Sequence, residues 1–312
     1  MAPAEPRFPA PDPRDVDPRA VRRAFARAAP TYDAAAALQR EVGARLASRL
    51  DYVKIAPRTI LDAGCGTGEA VGELAARYAG ARVIGLDLAL PMVAAAHERA
   101  RRARSLLRRL LPDALSGGAQ PLPFFICGDC NSLPLSGVSC DLVWSNLALQ
   151  WVNDLPRAFG EVRRVLKVGG LFTFTTFGPD TLGELRRAFA GIDAATHTNR
   201  FVDMHDIGDM LVAAGFADPV MDMEHVTLTF ESPAALLAEL KAIGATNRTR
   251  GRPRGLTGRA RFARLTAALE KLRENGRIPA TFEVVYGHAW KGEPRTTPEG
   301  HAIVRVARPR SR

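Results

Sequence analysis

The chain has 312 residues, of which 46% are apolar and 24% are charged, a composition typical of a globular protein with a sizeable core. No apolar run approaches the ~18 residues that a membrane-spanning helix needs, so the sequence predicts no such helix. The formal net charge of +10 favours an acidic partner, either nucleic acid or an acidic protein. Arginines that only solubilise the surface would give the same charge.

The first 17 residues are rich in proline and carry four acidic side chains, at Glu5, Asp12, Asp15 and Asp17. A secretory signal needs an apolar stretch and a mitochondrial presequence avoids acids, so neither describes this segment. We therefore expect a disordered lead over 1–17 and a cytoplasmic protein. The arginine-rich end, 292–312, is predicted to be a flexible basic tail.

The periodicity of apolar residues predicts alternating helices and strands. A helical pattern runs over 18–52 and is broken near Pro30. Short apolar segments bounded by Gly, Pro or Asp indicate strands at 58–63, 82–87, 124–129, 141–146 and 171–176. Helical segments lie at 69–78, 91–111, 155–165, 181–190 and 204–214. This alternation predicts a parallel sheet with helices on both faces.

Two longer segments with alternating polarity, 220–230 and 281–290, close the pattern and enclose a basic insertion at 232–279. We predict one doubly wound α/β domain over 18–291, with a helical cap formed by 18–52 and 232–279. A second arginine-rich stretch, 97–120, carries six arginines after Glu98, which we interpret as a solvated helix face.

The turn after the first predicted strand reads Asp62-Ala-Gly64-Cys-Gly66-Thr-Gly68. Glycines in such a turn let backbone N–H groups approach a ligand closely. The spacing is not that of a nicotinamide site, because the third glycine is misplaced, and no lysine of a phosphate-binding loop is present. An acid directly before the glycines suits a ligand that bears an amino group and no diphosphate.

Two further acids end the next predicted strands. Asp87, 23 residues after Gly64, is placed to accept both ribose hydroxyls of an adenosine, and Asp129 is placed to accept from the adenine amino group. The carboxyl ends of parallel strands meet at one edge of a sheet, so these acids together indicate an adenosine ligand without phosphate. The neighbours expected to complete this cofactor site are Leu88, Met92, Cys130 and Asn146.

This set of acids and glycines resembles the class I S-adenosylmethionine-dependent methyltransferases, whose Rossmann-like sheet has seven strands with the last one antiparallel. Stretches spread over about 21–291 resemble more narrowly the malonyl-[acyl-carrier protein] O-methyltransferases of biotin synthesis. They read FARAAPTYD, SNLALQW, FTTFGPDTLGELRRAF, HTNRFVDMHDI, LKAIGATN and FEVVYGHAW. The resemblance implies methyl transfer from S-adenosylmethionine to the free carboxylate of a malonyl group on an acidic carrier protein.

The implied reaction needs no general base, because a carboxyl group with a pKa near ~4 is already ionised at neutral pH. Arg200 is the candidate to orient the carboxylate, since its planar fork matches that geometry. Tyr32 resembles the family's aromatic residue that closes over the cofactor, and Gln150 and Trp151 follow the fourth strand, where an acceptor would enter. The insertion around 248–264 is either a docking surface for the carrier or a plain surface loop. A monomer is the working expectation.

Three other functions remain open at this point. The motifs also resemble a complex I assembly factor that hydroxylates a protein arginine while keeping a methyltransferase fold. His197, His205 and His225 lack the H-x-[DE] spacing of an iron triad, and Cys127 and Cys130 have no second cysteine pair, so we expect no metal site. A nucleic-acid methyltransferase would explain the charge, but no base-stacking motif is present. A non-enzymatic cofactor-binding protein would keep the same acids and glycines.

Overall fold

The computed structural model describes residues 12–110, 122–193, 195, 197–252, 255 and 258–293, with the backbone alone described at 106–110. Residues 1–11 of the predicted lead, 111–120 of the predicted arginine-rich stretch and 294–312 of the predicted tail lie outside the described residues, as do 253, 254, 256 and 257 of the insertion. The arginines at 99–104 of that stretch are described and lie on a helix at half-buried or exposed positions, as predicted for a solvated helix face. Within the described ranges, no helix is long and apolar enough to cross a bilayer.

A seven-stranded sheet with the order β3-β2-β1-β4-β5-β7-β6 forms the centre of the described structure. The strands are β1 (Thr59–Ala63), β2 (Arg82–Asp87), β3 (Phe124–Cys127), β4 (Cys140–Ser145), β5 (Leu166–Phe177), β6 (Ala217–Phe230) and β7 (Ile278–Trp290). Strands β1 to β5 pair in parallel, whereas β7 runs antiparallel to both β5 and β6. The predicted doubly wound, mostly parallel sheet of seven strands is therefore confirmed.

The helices follow the predicted order. They are α1 (Pro18–Ala28), α2 (Tyr32–Ala35), α3 (Ala37–Arg49), α4 (Glu69–Arg77), α5 (Leu90–Leu110), α6 (Leu155–Val165), α7 (Gly183–Ala190), α8 (Met204–Ala213), α9 (Pro233–Ala242) and α10 (Arg259–Glu270). Short 3₁₀ turns lie at Leu50–Tyr52 and Leu149–Trp151. Each predicted helix lies within a few residues of its expected ends, and the break near Pro30 separates α1 from α2.

The hydrophobic core has two parts, one on each face of the sheet, and neighbouring residues of a strand belong to different parts. Ile60 of β1 packs with the α3 residues Val42 and Leu46, whereas Leu61 packs with Phe159 of α6 on the other side. Successive side chains on a strand point to opposite faces, so the sheet is covered on both. Helix α3, predicted as part of the cap, is instead one of the layers that bury the sheet.

The N-terminal residues 12–17 differ from the expectation of disorder. Val16 is 4% exposed and forms a bridge with Thr249 of the insertion. The side-chain amide of Asn153 accepts from the Val16 N–H at 2.9 Å and donates to its carbonyl at 3.0 Å. The Asp17 carboxylate then caps α1 by accepting from the N–H groups of Arg19 and Ala20. The prediction of a disordered lead is wrong for this part, because the insertion and the turn after β4 supply its partners.

Candidate active site

A cavity of about 390 Å³ lies at the carboxyl ends of β1 to β4, beneath α1 and α2. Its lining includes eight of the ten predicted cofactor residues: Gly64, Gly66, Asp87, Leu88, Met92, Asp129, Cys130 and Asn146. A smaller cavity of about 60 Å³ shares Gly64 and Gly66 with it and adds Asp62. The two cavities are therefore neighbouring parts of one site, with the glycine turn between them.

The glycines of this turn have different roles. Gly64 has a φ of +93°, and a Cβ atom there would lie 2.3 Å from the Cβ of Ala148 in the turn after β4. Gly68, predicted as a cofactor contact, lines neither cavity. It precedes α4 with a φ of +82°, and a Cβ atom there would lie 2.8 Å from the Cβ of Ala96 on α5. Gly68 thus permits helix packing, and Gly64 permits the close approach of two cavity walls.

Asp87 is fixed at the end of β2 by two backbone hydrogen bonds. Its carboxylate accepts from the N–H of Gly66 at 3.0 Å and from the N–H of Ala89 at 2.8 Å. Burial raises the pKa of Asp87, although these hydrogen bonds act in the opposite direction. Each carboxylate oxygen has two acceptor sites, so Asp87 keeps capacity for the two hydroxyls of a ribose.

Asp62 is the most strongly perturbed acid in the smaller cavity. The residue is 1% exposed, and within the described part of the chain its Oδ2 atom has no hydrogen-bond partner. Burial, and then the charge of Asp87, raise the pKa of Asp62 to about 8. A buried, unpartnered carboxyl group beside a second acid favours a cationic ligand, because the cation would supply both the missing donor and the missing charge.

The arrangement of acids fits S-adenosylmethionine. Asp62 would receive its ammonium group in the smaller cavity, and Asp87 would accept from its ribose in the larger one. Asp129, whose Oδ1 accepts from the N–H of Asn131 at 2.8 Å, lies at the third strand end, where the adenine amino group is expected. The orphaned Oδ2 of Asp62 is the feature that makes this fit specific for a ligand with a positive amino group.

Asn146 joins the cavity wall to two other parts of the fold. Its side chain donates to the carbonyl of Gln39 on α3 at 2.9 Å and accepts from the Thr175 hydroxyl of β5 at 2.7 Å. The next residue, Leu147, has a φ of +48°, a strained conformation for a side chain of this kind. Gln150, a predicted acceptor contact, lines neither cavity, since its amide donates to the Leu147 carbonyl at 2.7 Å.

Three aromatic side chains cover the larger cavity: Phe25 of α1, Tyr32 of α2 and Trp151. Phe25 contacts both others edge to face, with ring centroids 6.5 Å from Tyr32 and 5.3 Å from Trp151. Burial, and then the nearby charge of Asp87, raise the pKa of Tyr32, so its hydroxyl stays a neutral donor. The sequence analysis missed the role of Phe25, although its helical spacing from Val21, which also lines the cavity, was a usable signal.

A polar latch of Asp33, Thr67 and Arg99 ties α2 to the glycine turn. The Thr67 hydroxyl donates to Asp33 at 2.5 Å, and the Arg99 guanidinium pairs with the same carboxylate. Arg99 also donates through Nε to the carbonyl of Thr67 at 3.0 Å. The latch thereby holds Tyr32, the neighbour of Asp33, over the turn.

The structure does not bring Arg200 to either cavity. This predicted carboxylate ligand is exposed in the loop between α7 and α8, where its charge helps to lower the pKa of Asp12, an effect due first to Arg14. An arginine that the sequence analysis did not select, Arg157 of α6, lines the larger cavity instead, and its Nε donates to the Asn131 carbonyl at 2.9 Å.

A group of side chains with metal-ligand chemistry lies outside both cavities. Asp180, His225 and Glu283 each place one ligand atom within 4.8 Å of the others. His225 and Glu283 face each other across β6 and β7, whereas Asp180 follows β5. The histidine and cysteine spacings behind the expectation of no metal site concern residues close in sequence, so they do not detect a cluster assembled across strands.

The sheet order and the acid-lined cavity define a class I S-adenosylmethionine-dependent methyltransferase, and a family model described as a methyltransferase domain matches residues 61–174. The malonyl-[acyl-carrier protein] O-methyltransferase of Gallionella capsiferriformans is 53% identical over 292 residues, covering 94% of this chain and 97% of that protein. The protein of the same name from Nitrosospira multiformis is 52% identical, covering 91% and 93%. The chain belongs to the malonyl-[acyl-carrier protein] O-methyltransferase family.

Solved structures share the fold at low sequence identity. The YcgJ protein of Bacillus subtilis superimposes with a TM-score of 0.55 and 18% identity, covering 80% of this chain and 98% of that chain. A methyltransferase-like protein from Bacillus halodurans gives a TM-score of 0.53, also at 18% identity. At this identity the similarity concerns the fold alone.

The first prediction concerns the pH dependence of stability in the absence of cofactor. The pKa of Asp62 is raised from 3.8 to about 8 on folding, so between these values the folded state binds more protons than the unfolded state. The free energy of unfolding should therefore fall as the pH rises from about 4 to about 8. Asp62→Asn should remove this slope and, near pH 8, stabilise the protein by an amount on the order of a few kcal/mol.

Urea unfolding at a series of pH values measures this effect. The exposed acid Asp209 on α8 provides the control, because Asp209→Asn should keep the wild-type profile. Parallel pH profiles for wild type and Asp62→Asn would contradict the electrostatic description of the site.

The second prediction concerns the latch. Arg99→Gln should weaken binding of S-adenosylmethionine by about fivefold, since a partly exposed charged contact contributes about 1 kcal/mol. Calorimetric titration with the cofactor measures the dissociation constant. Arg102→Gln is the matched control on the same helix, because Arg102 pairs along the helix surface with Glu98 at 2.8 Å, away from the latch. Equal weakening by the two substitutions would show that the latch does not hold the cofactor site closed.

Proposed function

We propose that this protein transfers a methyl group from S-adenosylmethionine to the free carboxylate of malonyl-[acyl-carrier protein], giving the methyl ester used in biotin synthesis. The observation that carries this proposal is the extent of the identity: 53% over 94% of the chain. That extent includes the cap elements α1, α2 and 232–279, which lie outside the shared cofactor core. The net charge of +10 suits an acidic carrier protein as partner.

The malonyl carboxylate is itself the nucleophile, so the chain has to orient it and has no proton to remove. A carboxyl pKa near ~4 leaves the group ionised at neutral pH. When bound, S-adenosylmethionine supplies a methyl group made electrophilic by its sulfonium charge. A tyrosine hydroxyl is protonated at neutral pH, and burial raises the pKa of Tyr32 further, so Tyr32 is able to donate a hydrogen bond in the cavity without adding a competing negative charge.

The aromatic cover contributes by keeping water out. Attack of a carboxylate on a sulfonium methyl cancels opposite charges, so a drier site lowers the barrier. Phe25, Tyr32 and Trp151 cover the larger cavity with apolar surface. Asp62 and Asp87 would hold the amino group and the ribose of the cofactor. The geometry required is a nucleophile roughly 3 Å from the methyl carbon, in line with the bond that breaks.

The predicted substrate residues fall into two groups. Tyr32 and Trp151 line the cavity and are the candidates for orienting the acceptor. Arg200 and Gln150 lie outside it, so a role for either in substrate binding requires that the segments carrying them move when the carrier docks.

Mass spectrometry of carrier proteins tests the function directly. Purified protein and S-adenosylmethionine are incubated separately with malonyl-, acetyl- and succinyl-carrier protein. We expect one added methyl group on the malonyl species, none on the acetyl species, which has no free carboxylate, and less on the longer succinyl species. Absence of methylation on all three, with cofactor binding demonstrated in the same preparation, would contradict the proposed function.

A further inference from the structure

A cluster of four arginines, Arg23, Arg27, Arg248 and Arg252, lies where α1 meets the basic insertion. Backbone hydrogen bonds fix the insertion at this point: the Arg248 carbonyl accepts from the Asp17 N–H at 2.8 Å. On the other side, the Arg248 N–H donates to the Asn199 side chain at 3.1 Å. The arginines are therefore presented by a folded surface and not by a free loop.

Arg248 carries unsatisfied positive charge. The residue is half-buried, and its Nε atom is buried with no hydrogen-bond partner among the residues that the structure describes. Burial, and then the positive charges of Arg27, Arg252 and Arg23, lower the pKa of Arg248. Asp17 is an acid near the cluster: its carboxylate lies 4.0 Å from Arg252 while it also caps α1. Like charges that are partly desolvated are costly unless an anion lies among them.

The cluster and the cofactor cavity lie on different sides of α1. Pro18, Val21 and Phe25 line the cavity, whereas Arg23 and Arg27 of the same helix do not. A helix is about 10 Å across, so an anion in the arginine cluster is well separated from the methyl group. The cluster is therefore too far from the methyl group to bind the reacting malonyl carboxylate. An anion bound by the cluster would have to be a different group, located away from that carboxylate.

We propose that the cluster of Arg23, Arg27, Arg248 and Arg252 binds the phosphate group of the phosphopantetheine arm that carries the malonyl thioester. This inference rests on the proposed function for the identity of the arm. The phosphate is at the opposite end of the arm from the thioester, which matches a site separated from the cavity. Guanidinium forks bind phosphate oxygens with paired hydrogen bonds, and a slender phosphodiester reaches a half-buried arginine that a broad protein surface does not.

Direct binding measurements test this site without any methyl transfer. Calorimetric titrations compare 4′-phosphopantetheine with pantetheine, which lacks only the phosphate. We expect wild type to bind the phosphorylated form about tenfold more tightly, and Arg248→Gln to remove that difference. Arg248→Lys should keep part of it, because the charge remains while the fork is lost. Unchanged affinity for S-adenosylmethionine shows that each variant is folded.

Arg82→Gln is the matched control, because Arg82 is an exposed arginine at the amino end of β2, at the edge of the sheet opposite the cavity. Equal affinity of wild type for both ligands, or equal effects of Arg248→Gln and Arg82→Gln, would overturn the proposal. It would also be overturned if Arg248→Gln weakened binding of the intact carrier protein but not of phosphopantetheine. Failure of the proposed function is distinguishable, since it is measured by methylation of malonyl-carrier protein and not by these titrations.

Discussion

The carboxyl group of Asp62 is held out of water at the end of β1, close enough to Asp87 that burial and this second acid raise its pKa to about 8. Ionisation of Asp62 is thus opposed both by burial and by the charge of Asp87, and much of the site is arranged around this unfavourable placement. The glycine turn brings backbone N–H groups to Asp87, which fixes one acid, while Oδ2 of Asp62 is left without a partner. We propose that the ammonium group of S-adenosylmethionine provides the positive charge and the hydrogen-bond donor that the Asp62 carboxylate lacks. Cofactor binding is then favoured because it relieves an electrostatic cost already present in the folded protein.

The cap links this electrostatic site to the carrier-linked substrate. One side of α1 covers the cavity through Phe25, and the helix also meets the insertion, where Arg248 lies. Helix α2 places Tyr32 over the glycine turn and is held there by the pair of Asp33 and Arg99. A single N-terminal segment, separate from the sheet, therefore covers the cofactor site and contributes to a basic surface.

The sequence predicted the parts that local patterns determine. Strands buried on both faces produce continuous apolar runs, and acids at strand ends such as Asp87 and Asp129 are placed by the topology alone. The remaining roles depend on contacts distant in sequence. A glycine is required at position 68 because Ala96 on α5 leaves no room for a side chain there. Residues 12–17 are ordered by contacts with Asn153 and with the insertion. Arg200 lies in a loop that is held by a hydrogen bond from the Arg248 N–H to the side chain of its neighbour Asn199. This contact joins residues 49 positions apart, so no local sequence pattern predicts it.

Proton release on cofactor binding tests the central electrostatic claim most directly. Calorimetric titration with S-adenosylmethionine is performed at about pH 6.5 in two buffers with different ionisation enthalpies, for wild type and for Asp62→Asn. If Asp62 is protonated in the free protein and ionised beside the bound ammonium group, wild type releases close to one proton per cofactor and Asp62→Asn releases none. The same binding enthalpy for wild type in both buffers would contradict the claim, because no group would then lose a proton on binding.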